Sequence, residues 1–302
     1  MNAIECKGLG KRYSDTWALR GCELEVPTGR VVALVGPNGA GKTTLLHLIV
    51  GLTSPTEGYV KVLDGLLPGS ESSLKRVAFV PQDVQLYKHL SVGDCVHVAR
   101  NLNSVFDDDF AERRLRTLGI PARKRIGKLS GGQEAQLGLT LALARRSELL
   151  VMDEPVARLD PVARLEFMAE LMEEVASRDL SVVLSSHVIA DLERVADYLV
   201  VVACGTVRLA GDIDELLADH RVMYGPYPGG VPDGIKVVSD DSGFGGGALV
   251  QRPQSGHQPL PNGWELSEVG LEGLVLGYLR DPPQPTRRVT PLLVCGRANR
   301  RS

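Results

Sequence analysis

The sequence lacks the long apolar runs that a membrane-spanning helix requires. One of its longest, LVVVAC at residues 199–204, is far shorter than the about 20 residues that span a bilayer. The chain itself is therefore not expected to cross a membrane. The first residues, MNAIECKGLGKRY, contain no apolar core, so we predict no signal peptide there.

Closely spaced cysteines and an excess of one charge are also missing. The five cysteines, Cys6, Cys22, Cys95, Cys204 and Cys295, include no CxxC pair. This scatter predicts reduced thiols in a cytosolic protein rather than disulfides or a zinc site. The net charge of −3 gives no reason to expect nucleic acid as a partner. The length of 302 residues and the hydrophobic content of 43% fit one large globular domain plus a smaller one.

Three regions follow each other along the chain. From residue 1 to about 218, apolar strand-like runs alternate with amphipathic helices, which is typical of an α/β core whose strands are covered on both faces. Residues 219–280 predict a small appendage: fifteen of the 42 residues from 221 to 262 are Gly or Pro, with strand candidates IKVV and ALVQ and a helix-like SEVGLEGLVLGYLR after them. The proline-containing tail 281–302 carries a net charge of +4 and is expected to be disordered.

Residues 36–44 read GPNGAGKTT, between the apolar run VVALV and the helix-like KTTLLHLIVGL. This stretch matches the phosphate-loop pattern G-x-x-x-x-G-K-[ST] in a strand–loop–helix context. The glycines let backbone N–H groups turn inward around a phosphate chain, and the helix N-terminus favours negative charge. Lys42 can then reach the β- and γ-phosphates, and Thr43 can ligate Mg²⁺. An incidental glycine turn beside a strand is the disfavoured alternative.

Three other apolar runs end in polar residues that can serve the same nucleotide. ELLVMDE ends in Asp153, which could hold Mg²⁺ through water, and Glu154, which could polarise a water aimed at the γ-phosphate. SVVLSSH ends in His187, a phosphate ligand or a surface or capping histidine, and VAFVPQ ends in Gln82, an Mg²⁺ ligand or a polar loop residue. Tyr13 could stack on a base or be an ordinary half-buried tyrosine. Because ligands bind at the carboxyl ends of parallel strands, the strand-end groups are expected to converge.

A second helix is preceded by a pair of glycines. Residues 129–136 read LSGGQEAQ and lead into LGLTLALARR, although glycine destabilises a helix interior. The pair predicts a second anion-binding helix terminus. One nucleotide does not obviously need two such termini from distant parts of a chain, unless the second serves the nucleotide of a neighbouring subunit.

Taken in order, these motifs resemble those of the ATP-binding subunits of ABC transporters over about residues 1–218. The set comprises an adenine loop at Tyr13, the Walker A loop GPNGAGKT, the Gln82 loop, the signature LSGGQ, the Walker B strand LLVMDE, a loop ending in Leu159–Asp160, and the switch residue His187. The resemblance implies an α/β P-loop NTPase fold of the ABC-ATPase type. That fold has a mainly parallel core sheet with flanking helices, an antiparallel β subdomain and an α-helical subdomain, here at about 83–147. Residues 219–280 would add a small C-terminal α+β appendage.

In this family two such domains pack head to tail around two ATP molecules. The resemblance therefore implies ATP and Mg²⁺ as cofactors, with Glu154 and His187 as catalytic residues. It implies that ATP is held by Tyr13, Gly36, Pro37, Asn38, Gly39, Ala40, Gly41, Lys42, Thr43, Thr44 and Gln82. The second subunit would contribute Ser130, Gly131, Gly132, Gln133 and Asp160 in trans, and Mg²⁺ would be held by Thr43, Gln82 and Asp153.

The resemblance also implies an ATPase that drives transport through a separate polytopic membrane permease. The chain is then expected to form a homodimer, to be cytoplasmic, and to lie on the inner face of the cell membrane through that permease. LERVADYLVVV and LEGLVLGYLR look most like segments of two-component bacterial exporters. The alternative is a non-transport regulatory ATPase of the same type. Chromosome and DNA-repair relatives carry a long coiled coil that is missing between the two motifs here, and a metabolic kinase would not need LSGGQ.

The sequence departs from the family pattern at two places, and one further stretch is expected to be a docking surface. Glu134 follows LSGGQ where a basic or amide residue is common, and Ala157 and Arg158 replace a serine and a small residue. Glu134 is expected to repel the γ-phosphate bound by the second subunit. Alternatively, it points away to solvent or pairs with an arginine such as Arg158 of that subunit. The stretch DVQLYKHLSVGD is expected to expose Tyr87, with two leucines beside it, to a short helix of the permease. The leucines could instead fill the core of the helical subdomain.

Overall fold

The chain divides into two units, Met1–Glu215 and Leu216–Ser302. The computed structural model describes residues 1–157, 159–186, 188–225, 235–239, 246–251 and 263–280. Arg158, His187 and the tail 281–302 lie outside the described residues, so the expectations about them have no structural counterpart here. Within the described ranges, no helix is both long and apolar enough to cross a membrane.

The core of the first unit is a six-stranded sheet that is mainly parallel, as predicted. Its order is β5-β6-β7-β3-β8-β9, and only β9 runs antiparallel to its neighbour. The strands are β3 (Val31–Val35), β5 (Val77–Val80), β6 (Leu149–Met152), β7 (Ser181–Ser186), β8 (Tyr198–Ala203) and β9 (Thr206–Asp212). Every residue of β3, β6 and β7 is buried, which explains why these strands are continuous apolar runs in the sequence.

Among the described residues from 42 to 219, eight α-helices and one short 3₁₀ helix accompany these strands. They are α1 (Lys42–Val50), α2 (Glu71–Arg76), α3 (Val92–Leu102), α4 (Asp108–Thr117), the 3₁₀ helix Ile126–Lys128, α5 (Gly131–Ala144), α6 (Pro161–Ser177), α7 (Ile189–Leu192) and α8 (Ile213–Asp219). Several start at a side-chain cap: Ser91 and Ser130 form capping boxes with Asp94 and Gln133.

The predicted antiparallel β subdomain is a three-stranded sheet of order β2-β1-β4. It consists of β1 (Asn2–Tyr13), β2 (Thr16–Pro27) and β4 (Glu57–Val62). Its apolar face joins one continuous core with α1 and the large sheet, in which Ile4 and Leu9 pack with Leu45, Leu46 and Val151. The hairpin β1–β2 is thereby fixed against the helix that follows the phosphate loop.

The predicted helical subdomain lies between β5 and β6 and has its own small core. Residues 83–147 are all described and contain α3, α4, α5 and the 3₁₀ helix, with no strand. Val92, Cys95, Leu115, Ile126 and Leu137 are buried together there.

Two leucines that were expected to be exposed for docking pack against this core. Leu86 and Leu90 are partly buried against the apolar cluster of the helical subdomain. The alternative, in which these leucines pack on the core of the helical subdomain, therefore describes them better than full exposure does, because the short loop before α3 folds back onto α3 and α5. Tyr87, between them, is 67% exposed.

The described part of the second unit contains a four-stranded antiparallel sheet and a helix. The sheet order is β11-β12-β10-β13, with β10 (His220–Tyr224), β11 (Lys236–Ser239), β12 (Ala248–Gln251) and β13 (Glu265–Ser267), and the helix is α9 (Leu271–Arg280). The strand candidates IKVV and ALVQ correspond to β11 and β12. The unit is an α+β appendage, in agreement with the predicted fold class.

His220 of β10 is a fully buried titratable group within the second unit. Its Nδ1 lies 2.7 Å from the carbonyl oxygen of Leu216, and its Nε2 lies 2.9 Å from Tyr278 Oη. A neutral imidazole satisfies both contacts, donating to the carbonyl and accepting from the tyrosine. Burial lowers the pKa of His220, and burial raises the pKa of Tyr278 to about 12, so both groups are uncharged at neutral pH.

Stability of the second unit is expected to fall as the pH is lowered from about 6.5, the ordinary histidine value, toward the lowered pKa of folded His220. In that window the unfolded chain binds a proton that the folded chain excludes, so acid favours unfolding. Hydrogen exchange of β10 and α9 at pH 7.5 and 5.5 measures the effect. The variant His220→Gln, which cannot titrate, should lose this part of the pH dependence; an identical profile for variant and parent would contradict the assignment.

Candidate nucleotide-binding site

The phosphate loop joins β3 to α1 and contains two glycines in positions that admit no side chain. A Cβ on Gly36 would lie 2.2 Å from the carbonyl oxygen of Val202. Gly41 has a φ of 107°, and a Cβ there would lie 2.6 Å from Cδ2 of Leu19. The loop backbone is therefore held against β8 and β2 by close approaches that only glycine allows.

Lys42, the first residue of α1, is buried with its ammonium directed back at the loop. Its Nζ donates to the carbonyl oxygens of Gly36 at 2.8 Å and Pro37 at 3.2 Å. The residue that caps α1, Gly41, has no side chain, so no side-chain acceptor from the cap satisfies the first N–H groups of the helix. An ammonium next to bare helix N–H groups is an arrangement that binds phosphate.

The remaining loop residues surround this centre. Thr43 is exposed and Thr44 half-buried in the first turn of α1, where a hydroxyl can reach a bound ion. Ala40 is buried, whereas the other predicted loop ligands, Pro37, Asn38 and Gly39, are exposed.

Two carboxylates follow β6 and are organised by a serine from β7. Asp153 is buried, and its Oδ1 accepts a hydrogen bond from Ser185 Oγ at 2.6 Å. The same hydroxyl oxygen accepts from the backbone N–H of Glu154 at 2.8 Å. Glu154 has a φ of 45°, a left-handed conformation that is uncommon for a residue with a side chain and that concentrates at functional sites. Ser185 was not predicted; it lies two residues before His187 in SSH, and only the pairing of β6 with β7 brings it to Asp153.

Gln82 and Glu154, predicted to share one site, are in contact. Gln82 Nε2 donates to Glu154 Oε2 at 3.3 Å. Both line a cavity of about 20 Å³, together with Gly131 and Glu134 from the first turn of α5. Such a volume is close to that of one water molecule. The departure Glu134 therefore lies beside the Gln82–Glu154 pair of its own chain.

Tyr13 lies at the end of β1 and is about half exposed. It pairs with Thr16 across the β1–β2 hairpin, and Lys11 Nζ lies 5.2 Å from its ring centroid. The same hairpin contributes Leu19 next to Gly41. An exposed ring on this hairpin is free to stack on a planar base.

The signature residues form the N-terminus of α5. Ser130 Oγ accepts from the backbone N–H of Gln133 at 3.2 Å, and Gln133 Oε1 accepts from the backbone N–H of Ser130 at 3.3 Å. Lys124 Nζ, which the sequence analysis did not single out, donates to the same Gln133 oxygen at 2.8 Å. A Cβ on Gly131 would meet no atom within 4 Å, so nothing in the described part of this chain requires a glycine there. A Cβ on Gly132 would make only an ordinary contact, 3.5 Å from Leu159.

Asp160 caps helix α6. Its Oδ1 accepts from the backbone N–H groups of Val162 and Ala163, both at 3.0 Å, and the residue is exposed. This cap is a structural function of Asp160 in addition to the role predicted for it from the sequence. Because Arg158 lies outside the described residues, the predicted pair between Glu134 and Arg158 has no coordinates to compare.

Comparisons with known proteins agree with the motif order. A family model described as ABC transporter matches residues 19–157, which include the phosphate loop, Gln82, the signature and both Walker B carboxylates. YxlF of Bacillus subtilis, an uncharacterized ABC transporter ATP-binding protein, is 34% identical over 220 residues, or 70% of this chain and 72% of that protein. The phosphonates import ATP-binding protein PhnC of Thiobacillus denitrificans is 37% identical over 242 residues, 74% of this chain and 93% of that protein. This chain belongs to the ATP-binding proteins of ABC transporters.

As an ABC ATP-binding protein, the chain is an ATPase whose fold is known from solved relatives. The structure of an ATP binding subunit of an ABC transporter superposes with a TM-score of 0.65 at 28% sequence identity, covering 72% of this chain and 92% of that one. The prediction of family, fold class and ATPase activity is thus confirmed. Tyr13, Asp160 and His187 lie outside the segment that the family model matches.

Proposed function

We propose that this ABC ATPase dimerises around two ATP molecules and powers export through a separate membrane-spanning permease. Gly131 carries the proposal. A Cβ on Gly131 would meet no atom within 4 Å in the described chain, so packing within the chain does not require a glycine there. Gly131 nevertheless begins α5, and glycine is a poorer helix former than most other residues. A close approach from outside the chain accounts for it, and the γ-phosphate of ATP on a second subunit is an anion suited to that helix terminus.

The site offers a matching set of ligands for Mg²⁺. Thr43, Gln82 and Asp153 supply a hydroxyl, an amide oxygen and a carboxylate, the hard oxygen donors that this ion prefers. Asp153 is buried and held by Ser185, which limits its rotation. A bound ion would neutralise charge on the β- and γ-phosphates. The described residues include no group of three or more His, Cys, Asp or Glu side chains that could hold a metal ion.

Glu154 is the residue that we propose to act on water, and His187 is proposed to contact the γ-phosphate. The Glu154 carboxylate is oriented by the amide of Gln82 and by its own backbone bond to Ser185. A cavity of about 20 Å³, large enough for one water molecule, adjoins this carboxylate. Ser130, Gly132, Gln133 and Asp160 would act in trans on the ATP of the second subunit.

We propose that a groove next to the Gln82 loop receives the permease. It has a volume of about 250 Å³, and its lining includes Val84, Leu86, Ala99, Leu141 and Arg145. The lining is mostly apolar and includes the cation of Arg145, a composition suited to an amphipathic helix. We infer that a short helix of the permease docks there and holds the ATPase at the inner face of the membrane.

Tyr87→Asp is expected to weaken binding to the permease without unfolding the ATPase. The side chain is 67% exposed and neighbours the groove residue Leu86, so a charge there opposes apolar docking but costs the isolated subunit little. Co-purification with the permease and the melting temperature of the free subunit measure the two effects. Leu52→Asp, at a leucine exposed to 65% between α1 and β4, is the matched control. Unchanged co-purification of Tyr87→Asp would contradict docking at this groove.

Reconstitution into vesicles distinguishes the transport function from the regulatory alternative. The subunit is assembled with a candidate membrane permease in sealed vesicles, with the ATP-binding face outward and ATP added outside. Uptake of a cargo into such vesicles corresponds to export from the cell and is expected to depend on ATP. ATP hydrolysis that moves no cargo in either direction would favour the regulatory alternative, and release of a preloaded cargo would indicate import.

A further inference from the structure

A buried arginine ties together three helices of the first unit. Arg114 of α4 is only 4% exposed in its side chain. Its Nε donates to Thr140 Oγ1 at 2.9 Å and its Nη2 donates to Gln136 Oε1 at 2.8 Å, both on α5. Its Nη1 forms an ion pair with Glu170 Oε1 on α6. The guanidinium fork thus spans one turn of α5 and reaches across to α6.

Burying this cluster costs free energy, because its charged groups lose their hydration. Burial lowers the pKa of Arg114 and raises the pKa of Glu170, so each charge loses hydration in the folded chain. Glu170 Oε2 is buried with no hydrogen-bond partner among the described residues. Apolar side chains of similar volume often stabilise such a position equally well. Stability alone therefore does not account for an arginine here.

The two helices that Arg114 joins both begin at the face proposed to contact the second subunit. Helix α5 starts with the signature glycines, and Gln136 lies in its second turn. Helix α6 starts at its cap Asp160, and Glu170 lies in its middle. The two starts are already neighbours, because a Cβ on Gly132 would lie 3.5 Å from Leu159, the residue before Asp160.

We propose that Arg114 is a positioning residue, which holds the start of α5 in register with the start of α6 so that both meet the ATP of the second subunit as one rigid surface. The inference rests on the proposed ATP-dependent dimer. The fork fixes two points on α5 and one on α6, which prevents α5 from sliding or rotating against α6. It does not touch the phosphate loop, so binding of ATP to the separate subunit is independent of it.

Replacing Arg114 and Glu170 together tests whether the ion pair positions the helices, separately from any effect on folding. Arg114→Met alone leaves Glu170 buried without its cation, so the test uses Arg114→Met with Glu170→Met, in which no buried charge remains. Both changes are made in the Glu154→Gln background, and the dissociation constant of the dimer with ATP and Mg²⁺ is measured by sedimentation. We expect a melting temperature near that of the parent, unchanged binding of ATP to the monomer, and a dimer at least tenfold weaker.

Two further variants test the role of the planar guanidinium group and provide a control. Arg114→Lys keeps the charge but loses the planar fork, so it should also weaken the dimer; full retention would show that charge balance is sufficient. Arg76→Met removes a cation from an exposed pair with Glu148 and should leave dimerisation unchanged. A double methionine variant that folds and dimerises like the parent overturns the positioning role of Arg114. If the Glu154→Gln parent itself forms no dimer with ATP, the proposed function fails, and the inference fails with it.

Discussion

Glu154→Gln is expected to bind ATP normally, to lose nearly all turnover and to accumulate as an ATP-bound dimer. The amide has the same shape as the carboxylate but cannot accept a proton from water. Loss of a general base typically costs about 10²–10⁴-fold in rate. Steady-state hydrolysis with the permease present gives the rate, and size-exclusion chromatography with ATP and Mg²⁺ gives the dimer.

The expected loss is specific to Glu154 because of where that carboxylate lies. It follows β6 directly, contacts Gln82, and has its backbone in a left-handed conformation that directs the side chain. Glu57→Gln, at an exposed glutamate of β4, makes the same chemical change outside the site and should leave turnover unaltered. Equal ATPase rates for Glu154→Gln and the parent would refute the assigned role.

Gly131→Ala is expected to leave the isolated subunit as stable as the parent, or more stable, while weakening the ATP-dependent dimer strongly. The added methyl meets no atom within 4 Å in the described chain, and alanine is a better helix former than glycine. In the dimer the same methyl would separate the helix terminus from the γ-phosphate. Overpacking of a tight contact costs about 1–3 kcal/mol, which corresponds to roughly fivefold to 150-fold in affinity at each site.

A glycine elsewhere in the chain provides the matched comparison. Gly270 also has open space where a Cβ would be, and it also lies at the start of a helix, directly before the first residue of α9. Gly270→Ala should change neither dimerisation nor turnover. The melting temperature, together with the dimer affinity in the Glu154→Gln background, separates the two variants. A Gly131→Ala chain that dimerises as tightly as the parent would mean that no phosphate approaches this terminus.

Local motifs were the most predictable part of this protein. The phosphate loop needs glycines at close approaches and a lysine at a helix start, and those requirements leave a pattern that is readable in sequence alone. The buried parallel strands were predictable for a related reason, because covering both faces demands continuous apolar residues. The contact between Gln82 and Glu154 followed from the rule that strand ends converge, and the structure brings the two residues together.

Features that depend on distant pairing were not predictable. Ser185 contacts Asp153 only because β6 and β7 are adjacent strands of the sheet. A serine near the end of a strand does not indicate such a contact in the sequence. β13 is exposed at all three residues, so it has no apolar pattern to detect. Leu86 and Leu90 lie in a polar stretch that resembles an exposed loop, yet they pack on the core of the helical subdomain.

The burial of Arg114 was not predictable either. In the sequence it is not distinguished from arginines that lie on the surface, and only the fold brings Thr140, Gln136 and Glu170 into contact with it.

The central claim is that each ATP lies between the phosphate loop of one subunit and the signature of the other, and mixed dimers test it most directly. Lys42→Met disables the phosphate loop and Gly131→Trp disables the signature; dimers of defined composition are purified with two different tags. If sites form in trans, a dimer of one Lys42→Met chain and one Gly131→Trp chain retains one intact site and hydrolyses ATP. A dimer of a doubly substituted chain with an unsubstituted chain then retains none and is inactive. The reverse pattern, activity only in the second dimer, would contradict the account.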